Sequence, residues 1–364
     1  MPRSTPLALA LALAVAGAAS CKTTTEDDSC TPGADPSYMT ETLASLNDYC
    51  MIKIEGGKIV PRQGVVPYDV STPLFSDYAA KSRTVWVPPG KQATYQENGQ
   101  IEFPPGTIIT KSFGLAPDMR SQANLRWVET RILVRTDTGW YVAAYEWDEA
   151  QKKADIRPGG LVQEKRFVRP DGKDAVAQYL IPGQAQCKKC HEQDGKVATI
   201  GVRVDQLNHD FTYLDGAKEN QIAHWAKVGL LGGAPAAPAP KLAKWDDPSS
   251  GTVEQRARAY LDSNCAYCHN DKGEARTSGL FLGVGITDAY KLGACKTPVA
   301  AGKATSDYMY DIVPGKPEKS ILVYRMAETA PAIAMPELGR SLVHDDAIAL
   351  LSDWIKGMPG GCGN

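Results

Sequence analysis

The sequence predicts an α+β chain: an N-terminal antiparallel β-rich domain, a sandwich or small barrel, followed by two mostly α-helical modules. Three observations predict it. From Val65 to about Ile181, strand-like runs alternate with turn residues. The pattern Cys-x-x-Cys-His then occurs twice, as Cys187-Lys188-Lys189-Cys190-His191 and Cys265-Ala266-Tyr267-Cys268-His269. Helix-period apolar spacing flanks the second copy on both sides.

Taken in order, residues 1–20 read as a signal peptide. Arg3 precedes a run from Leu7 to Ala19 of almost only Ala, Leu, Val and Gly, too short to span a bilayer. Ala18-Ala19-Ser20-Cys21 resembles a lipoprotein processing site, with Cys21 as the lipidated N-terminus. Membrane attachment is therefore expected through that lipid only, which places the protein as an exported periplasmic or cell-envelope lipoprotein of a bacterium. Residues 21–64 read as a polar tether and a short disulfide-bonded segment, with a short helix near Thr40–Leu46.

The β-rich domain is assigned to residues 65–181. Its strands are expected at Thr84–Val87, Thr107–Phe113, Trp127–Arg135 and Trp140–Trp147, with Asp137-Thr138-Gly139 as a hairpin turn. In the third run Val128, Thr130, Ile132 and Val134 fall on one face, opposite Trp127, Glu129, Arg131 and Leu133. No nucleophile with its base, phosphate loop or metal triad is visible there, and the chain's five His residues lie at 191, 209, 224, 269 and 344. Residues 182–233 make the first module, with helices over Thr199–Asn208 and Asn220–Leu231. Residues 234–251 form a Pro/Ala-rich linker. Residues 252–364 make the second module. There Thr252-x-x-Gln255 is a capping box, and Ala347, Leu350, Leu351 and Trp354 mark a terminal helix beginning at Asp345 or Asp346.

Cys-x-x-Cys-His is the attachment signature of a c-type haem. The thiols add to the porphyrin vinyl groups and the adjacent imidazole is held where it binds iron. Two copies imply two covalently attached haems. Zinc is the poorer reading because the two pairs stand 78 residues apart. A thioredoxin-like pair would want a βαβ context that the sequence lacks. Setting aside Cys21 and the four motif cysteines leaves Cys30, Cys50, Cys295 and Cys362 of the nine. That even number suits an oxidising compartment, and proximity favours Cys30–Cys50 and Cys295–Cys362 among three connectivities. A formal net charge of −2 with mixed signs argues against a nucleic-acid partner.

Leading helix, pentapeptide, Met335-Pro336 and terminal helix stand in the order of a class I cytochrome c domain. The chain resembles exported dihaem c-type cytochromes that carry an N-terminal β-rich region. The resemblance runs over roughly residues 65 to 356. It is carried by Pro73-Leu74-Phe75-Ser76-Asp77-Tyr78-Ala79 with Lys81 and Arg83, by Phe103-Pro104-Pro105-Gly106-Thr107, and by Glu129-Thr130-Arg131. Gln206-Leu207-Asn208, Asn264 to His269, Val313-Pro314-Gly315 and Met335-Pro336 complete it. It implies haem binding and electron transfer.

His191 and His269 are the expected proximal iron ligands, and Met335 is the expected distal ligand of the second haem, ahead of Met326 and Met309. For the first haem no comparable Met follows the motif, so His209, His224, Met119 and an open position compete, His209 first. The function expected is electron transfer between a redox donor and an acceptor protein. The alternative is a peroxidase-like haem enzyme whose open first haem is fed by the second. A third possibility makes the β-rich domain a separate partner module.

Overall fold

A computed structural model describes residues 1, 30–96, 99–233, 239–299 and 301–363. The signal peptide and Cys21 lie outside the described residues.

A six-stranded antiparallel sheet is the scaffold. In spatial order its strands are Ala154–Ile156, Trp140–Trp147, Arg126–Arg135, Ile108–Leu115, Ala80–Trp86 and Val66–Tyr68. Alternating β-branched and aromatic residues supply both faces. One face sets Ile108, Ile132, Val134, Ala143 and Tyr145 against Leu46, Tyr49 and Met51 of the preceding segment. The buried Tyr145 hydroxyl is fully engaged, bonding Leu43 O at 2.8 Å and Tyr49 OH at 3.0 Å. The other face carries Val85, Ile109, Leu133 and Val142.

The alternation of the Arg126–Arg135 strand breaks at one point. The register with the neighbouring strand slips between Phe113 and Gly114, leaving Val128 unpaired as a bulge. Trp127 consequently packs with Ile132 and Val134, while Val128 packs beside Phe113 and Tyr179. Strict period two had placed these two residues on the opposite faces.

The expected pair of mostly helical modules is not what forms. Six α-helices are present among the described residues, while strands make six sheets; of the described residues 27% are strand and 22% helix, 3-10 segments included. The β-rich region is an open sheet with smaller hairpins, among them Leu161–Val168 paired with Asp174–Ile181. Around the first pentapeptide the helices are short, Gln184–His191, Val204–Leu207 and Gln221–Lys227. Such short helices cannot enclose a core by themselves. Cys187, Val202, Val204, Leu207 and Trp225 instead share one core with Tyr68, Val85, Ile109 and Leu133 of the sheet. The first motif is thus built on the sheet.

The second pentapeptide has more helix around it. Val253–Asn264 starts at the expected capping box, Thr252 Oγ1 accepting from Gln255 N at 3.2 Å and Gln255 Oε1 from Thr252 N at 2.9 Å. It packs with Ile321–Ala327 and Asp345–Lys356 around Leu261, Ile312, Leu351 and Ile355. Turns and 3-10 segments make up most of the rest, and the Cys295–Cys362 disulfide fastens the C-terminal end. Cys30 and Cys50 are also disulfide-bonded cysteines. No helix among the described residues is long and apolar enough to cross a membrane.

Residues Thr31–Asn364 form one compact unit, and the stretch from Thr72 to Tyr78 shows how its parts are joined. Phe75 N donates to Asn264 Oδ1 at 2.7 Å, directly before Cys265. Asp77 accepts from Ser341 N and Leu342 N, both at 2.8 Å. The Phe75 ring stacks on His344 with centroids 4.1 Å apart. The described end of the expected linker is fastened down too: Leu242 is buried, and Thr72 Oγ1 donates to Ala243 O at 2.7 Å. Residues 234–238 lie outside the described residues.

Candidate functional site

The helix Gln184–His191 is bounded by a close backbone crossing. A Cβ on Gly183 would lie 2.8 Å from Gly159 C, so glycine is required there. Beyond His191 a two-residue turn, Asp194-Gly195 with positive φ at both positions, closes the hairpin Glu192–Gln193 with Lys196–Val197. The hairpin returns Ala198 to the motif. Ala198 N donates to His191 O at 2.7 Å, and the His191 ring pairs through Nδ1 with Ala198 O at 2.9 Å. That contact fixes the Nδ1–H tautomer and leaves Nε2 as the lone-pair donor. Burial holds the imidazole pKa down to about 4, so the ring is neutral at neutral pH.

The second motif repeats this logic with other parts. Helix Val253–Asn264 delivers Cys265, and His269 N bonds back to Cys265 O at 2.9 Å. The His269 ring pairs through Nδ1 with Leu280 O at 3.3 Å, again leaving Nε2. Burial lowers its pKa as well. A Cβ on Gly273 would sit 2.3 Å from Cys268 O, so the chain can turn this tightly only with glycine. Met335 reaches the site on a loop tied by Arg340, whose guanidinium donates to Met335 O at 2.7 Å and to Glu328 O at 2.8 Å. Nothing in the local sequence singles out Arg340 for that task.

Each motif opens on a cavity. Cys187, Cys190 and His191 line one of about 540 Å³. Cys265, Cys268, His269 and Met335 line a second of about 510 Å³, with Met326 also in its wall. Both volumes lie in the range of cofactor pockets, roughly 300–1,000 Å³. Cys190 and Tyr267 line both cavities, so the two spaces meet. The motifs touch there. Cys190 and Cys268 share a cavity wall, Cys268 Sγ donates to Lys189 O at 3.8 Å, Gln193 Nε2 donates to Tyr267 O at 2.7 Å, and Asp194 N donates to Lys272 O at 3.3 Å.

The first cavity has an unexpected wall. One face of the sheet supplies Ile109, Leu133, Arg83, Lys111 and Arg131 to it. The three cations are directly opposed across neighbouring strands, in the register Arg83–Lys111–Arg131. Arg83 pairs with Asp69. Arg131 grips the fully buried Glu129 through two bonds, at 2.6 and 3.0 Å, and Tyr179 donates to the same carboxylate at 2.8 Å. Sequence reasoning treated these strands as a separate domain and so missed all three cations.

The structure does not bring His209 to the His191 cavity. Its ring bonds Asp210 O and the Gln221 side chain, away from either lining. His224 stacks on Tyr213 and pairs with Glu219, Met119 sits in another core cluster, and Met309 is exposed.

Two other chemistries for the cysteines can be weighed on this geometry. The four motif cysteines are free thiols. Burial pushes the Cys187 thiol up to about 11 and the Cys265 thiol up to about 12, while the neighbouring Cys268 side chain holds the Cys190 thiol below its ordinary value. Among the described residues no group of three or more His, Cys, Asp or Glu is placed to hold a metal ion. Compared with protein-family models, curated proteins and solved structures, the chain matches none.

Proposed function

We propose that the protein is a dihaem c-type electron carrier, exported and anchored by an N-terminal lipid, passing single electrons between redox partner proteins. The residues fit the group. Each cavity presents two free thiols and an imidazole whose Nδ1 is already engaged, so the nitrogen left over is the one that ligates iron. Cys187, Cys190 and His191 would hold one haem, and Cys265, Cys268 and His269 the other, with Met335 as a sulfur ligand in the second cavity. When bound, haem supplies a reversible one-electron couple whose potential is set by axial ligands, burial and hydrogen bonds.

The observation that carries the reading is the meeting of the two motifs, where Cys190 and Cys268 line one wall and Cys268 Sγ reaches Lys189 O at 3.8 Å. These cysteines would hold different haems, so their adjacency would place the two redox groups close together for electron transfer. The rest of the chain orients and excludes water. Ala198 and Leu280 fix the imidazoles, the sheet face lines the first cavity, and Arg340 holds the Met335 loop.

The test is a titration of the oxidised full-length protein with cyanide and then peroxide, followed by spectroelectrochemical reduction. An electron carrier shows an unchanged absorption spectrum on ligand addition and two reversible one-electron waves. A prompt spectral change at one haem would turn the assignment to the peroxidase-like reading.

A further inference from the structure

The cavity around His191 offers no second imidazole and no thioether among its described lining residues. The donors that could face iron there are few. Tyr68 and Tyr267 are held as neutral phenols by burial, which disfavours a phenolate ligand. Lys272 is exposed on the turn after the second motif. Lys111 remains.

Three facts set Lys111 apart. It projects from the central strand Ile108–Leu115 on the same face as Ile109, into the first cavity. Its cross-strand partners on both sides are arginines, and each has its own carboxylate, Asp69 for Arg83 and Glu129 for Arg131. No acid is left over for the amine. Among the described residues the Lys111 amine makes neither a hydrogen bond nor an ion pair; it lies 5.0 Å from the Phe113 ring centroid and feels Glu129, already gripped by Arg131, only at longer range. Like charges facing each other across strands are unfavourable, so a row of three cations needs a compensating reason. An amine that has lost its proton supplies one. The middle charge disappears, and the nitrogen gains a lone pair directed into a cavity that already presents an imidazole. Metal binding commonly releases a ligand's proton in this way.

We propose that Lys111 is the sixth ligand of the first haem iron, across from His191. The assignment rests on the haem reading above and adds a direction to it. Nitrogen on both axial sites leaves the first haem at a lower potential than a haem with Met335, since thioether ligation raises potential. Electrons would then enter at the first haem and leave from the second.

The experiment uses the ferric full-length protein, matured with both haems, and reads ligands spectroscopically. Electron paramagnetic resonance should show both haems low-spin. Pulsed measurements on protein labelled with [15N]lysine should show one strongly coupled axial lysine nitrogen, and this needs no variant. Lys111→Ala should convert one haem to high-spin and leave the Met335 signature of the other intact. Lys111→Arg, which keeps the charge but cannot ligate, should do the same. A high-spin first haem in the unmutated protein, absence of the lysine coupling, or a low-spin first haem in Lys111→Arg each overturns the assignment. A coloured protein giving any of these loses only Lys111 as ligand. A colourless one loses the haem reading itself.

Discussion

His344 is where protonation should be felt most strongly. It stands at the N-cap position of the terminal helix Asp345–Lys356, stacks on Phe75, and shares a hydrogen bond between Nδ1 and Tyr260 OH, 3.0 Å away. Burial is the main cause that lowers its pKa from 6.5 to about 3, helped by the positive charge of Lys81. The folded pKa is depressed, so the neutral ring's contribution to stability is present above pH 6.5. It is lost progressively as pH falls from there toward 3. At pH 4.5, two units below the unfolded value, the loss comes to about 3 kcal/mol at 1.36 kcal/mol per unit. His344→Phe keeps a ring on Phe75 and cannot be protonated. It gives up the Tyr260 bond, a pH-independent cost of about 1 kcal/mol. The assay is urea unfolding followed by far-ultraviolet circular dichroism at pH 7.5 and 4.5 for both proteins. Wild type should be the more stable at pH 7.5 and the less stable at pH 4.5, the difference moving by about 3 kcal/mol. A difference that does not change with pH would refute the reasoning, because it would mean His344 takes up its proton as readily folded as unfolded.

Two further outcomes follow from the cavity walls. Arg131→Met strips the fully buried Glu129 of its guanidinium and should destabilise the fold by about 3–5 kcal/mol in the same urea assay. The double variant Glu129→Leu/Arg131→Met, which removes both charges, should recover most of that loss. Met335→Ala should abolish the sulfur-to-iron band at the red end of the oxidised spectrum and lower the potential of one haem only. Persistence of the band would pass the role to Met326, which lines the same cavity.

Local signals were legible in the sequence and long-range ones were not. The capping box at Thr252, the terminal helix from Asp345 and the strands around Trp127 and Trp140 are set by nearest-neighbour chemistry, and they form where their patterns lie. Leu161–Val168 was harder to see. Its exposed Leu161 and Val162 and alternating charges give no continuous apolar face, because its strand pairs along its length only with Asp174–Ile181 and leaves half of its residues exposed. The error in fold class has the same origin. Cys-x-x-Cys-His suggests a self-contained helical unit, but a first motif whose helix spans eight residues must borrow a wall. It takes that wall from strands reaching back to Tyr68, 119 residues before Cys187, a distance that no periodicity spans. Lys111, proposed above as the distal ligand, lies 80 positions upstream of His191 and was outside the sequence candidates for that reason. Likewise the bulge at Val128 is a property of the strand pair and is invisible in either strand alone.

Everything functional here depends on two haems joined to one chain through thioether bonds. Intact-mass spectrometry of the mature protein, run beside a haem-staining gel under denaturing, reducing conditions, tests that directly. A mass heavier than the processed polypeptide by two haems, with the stain following the band, is the result expected. An unmodified mass and an unstained band, from cells whose haem-ligation machinery is active, would contradict it.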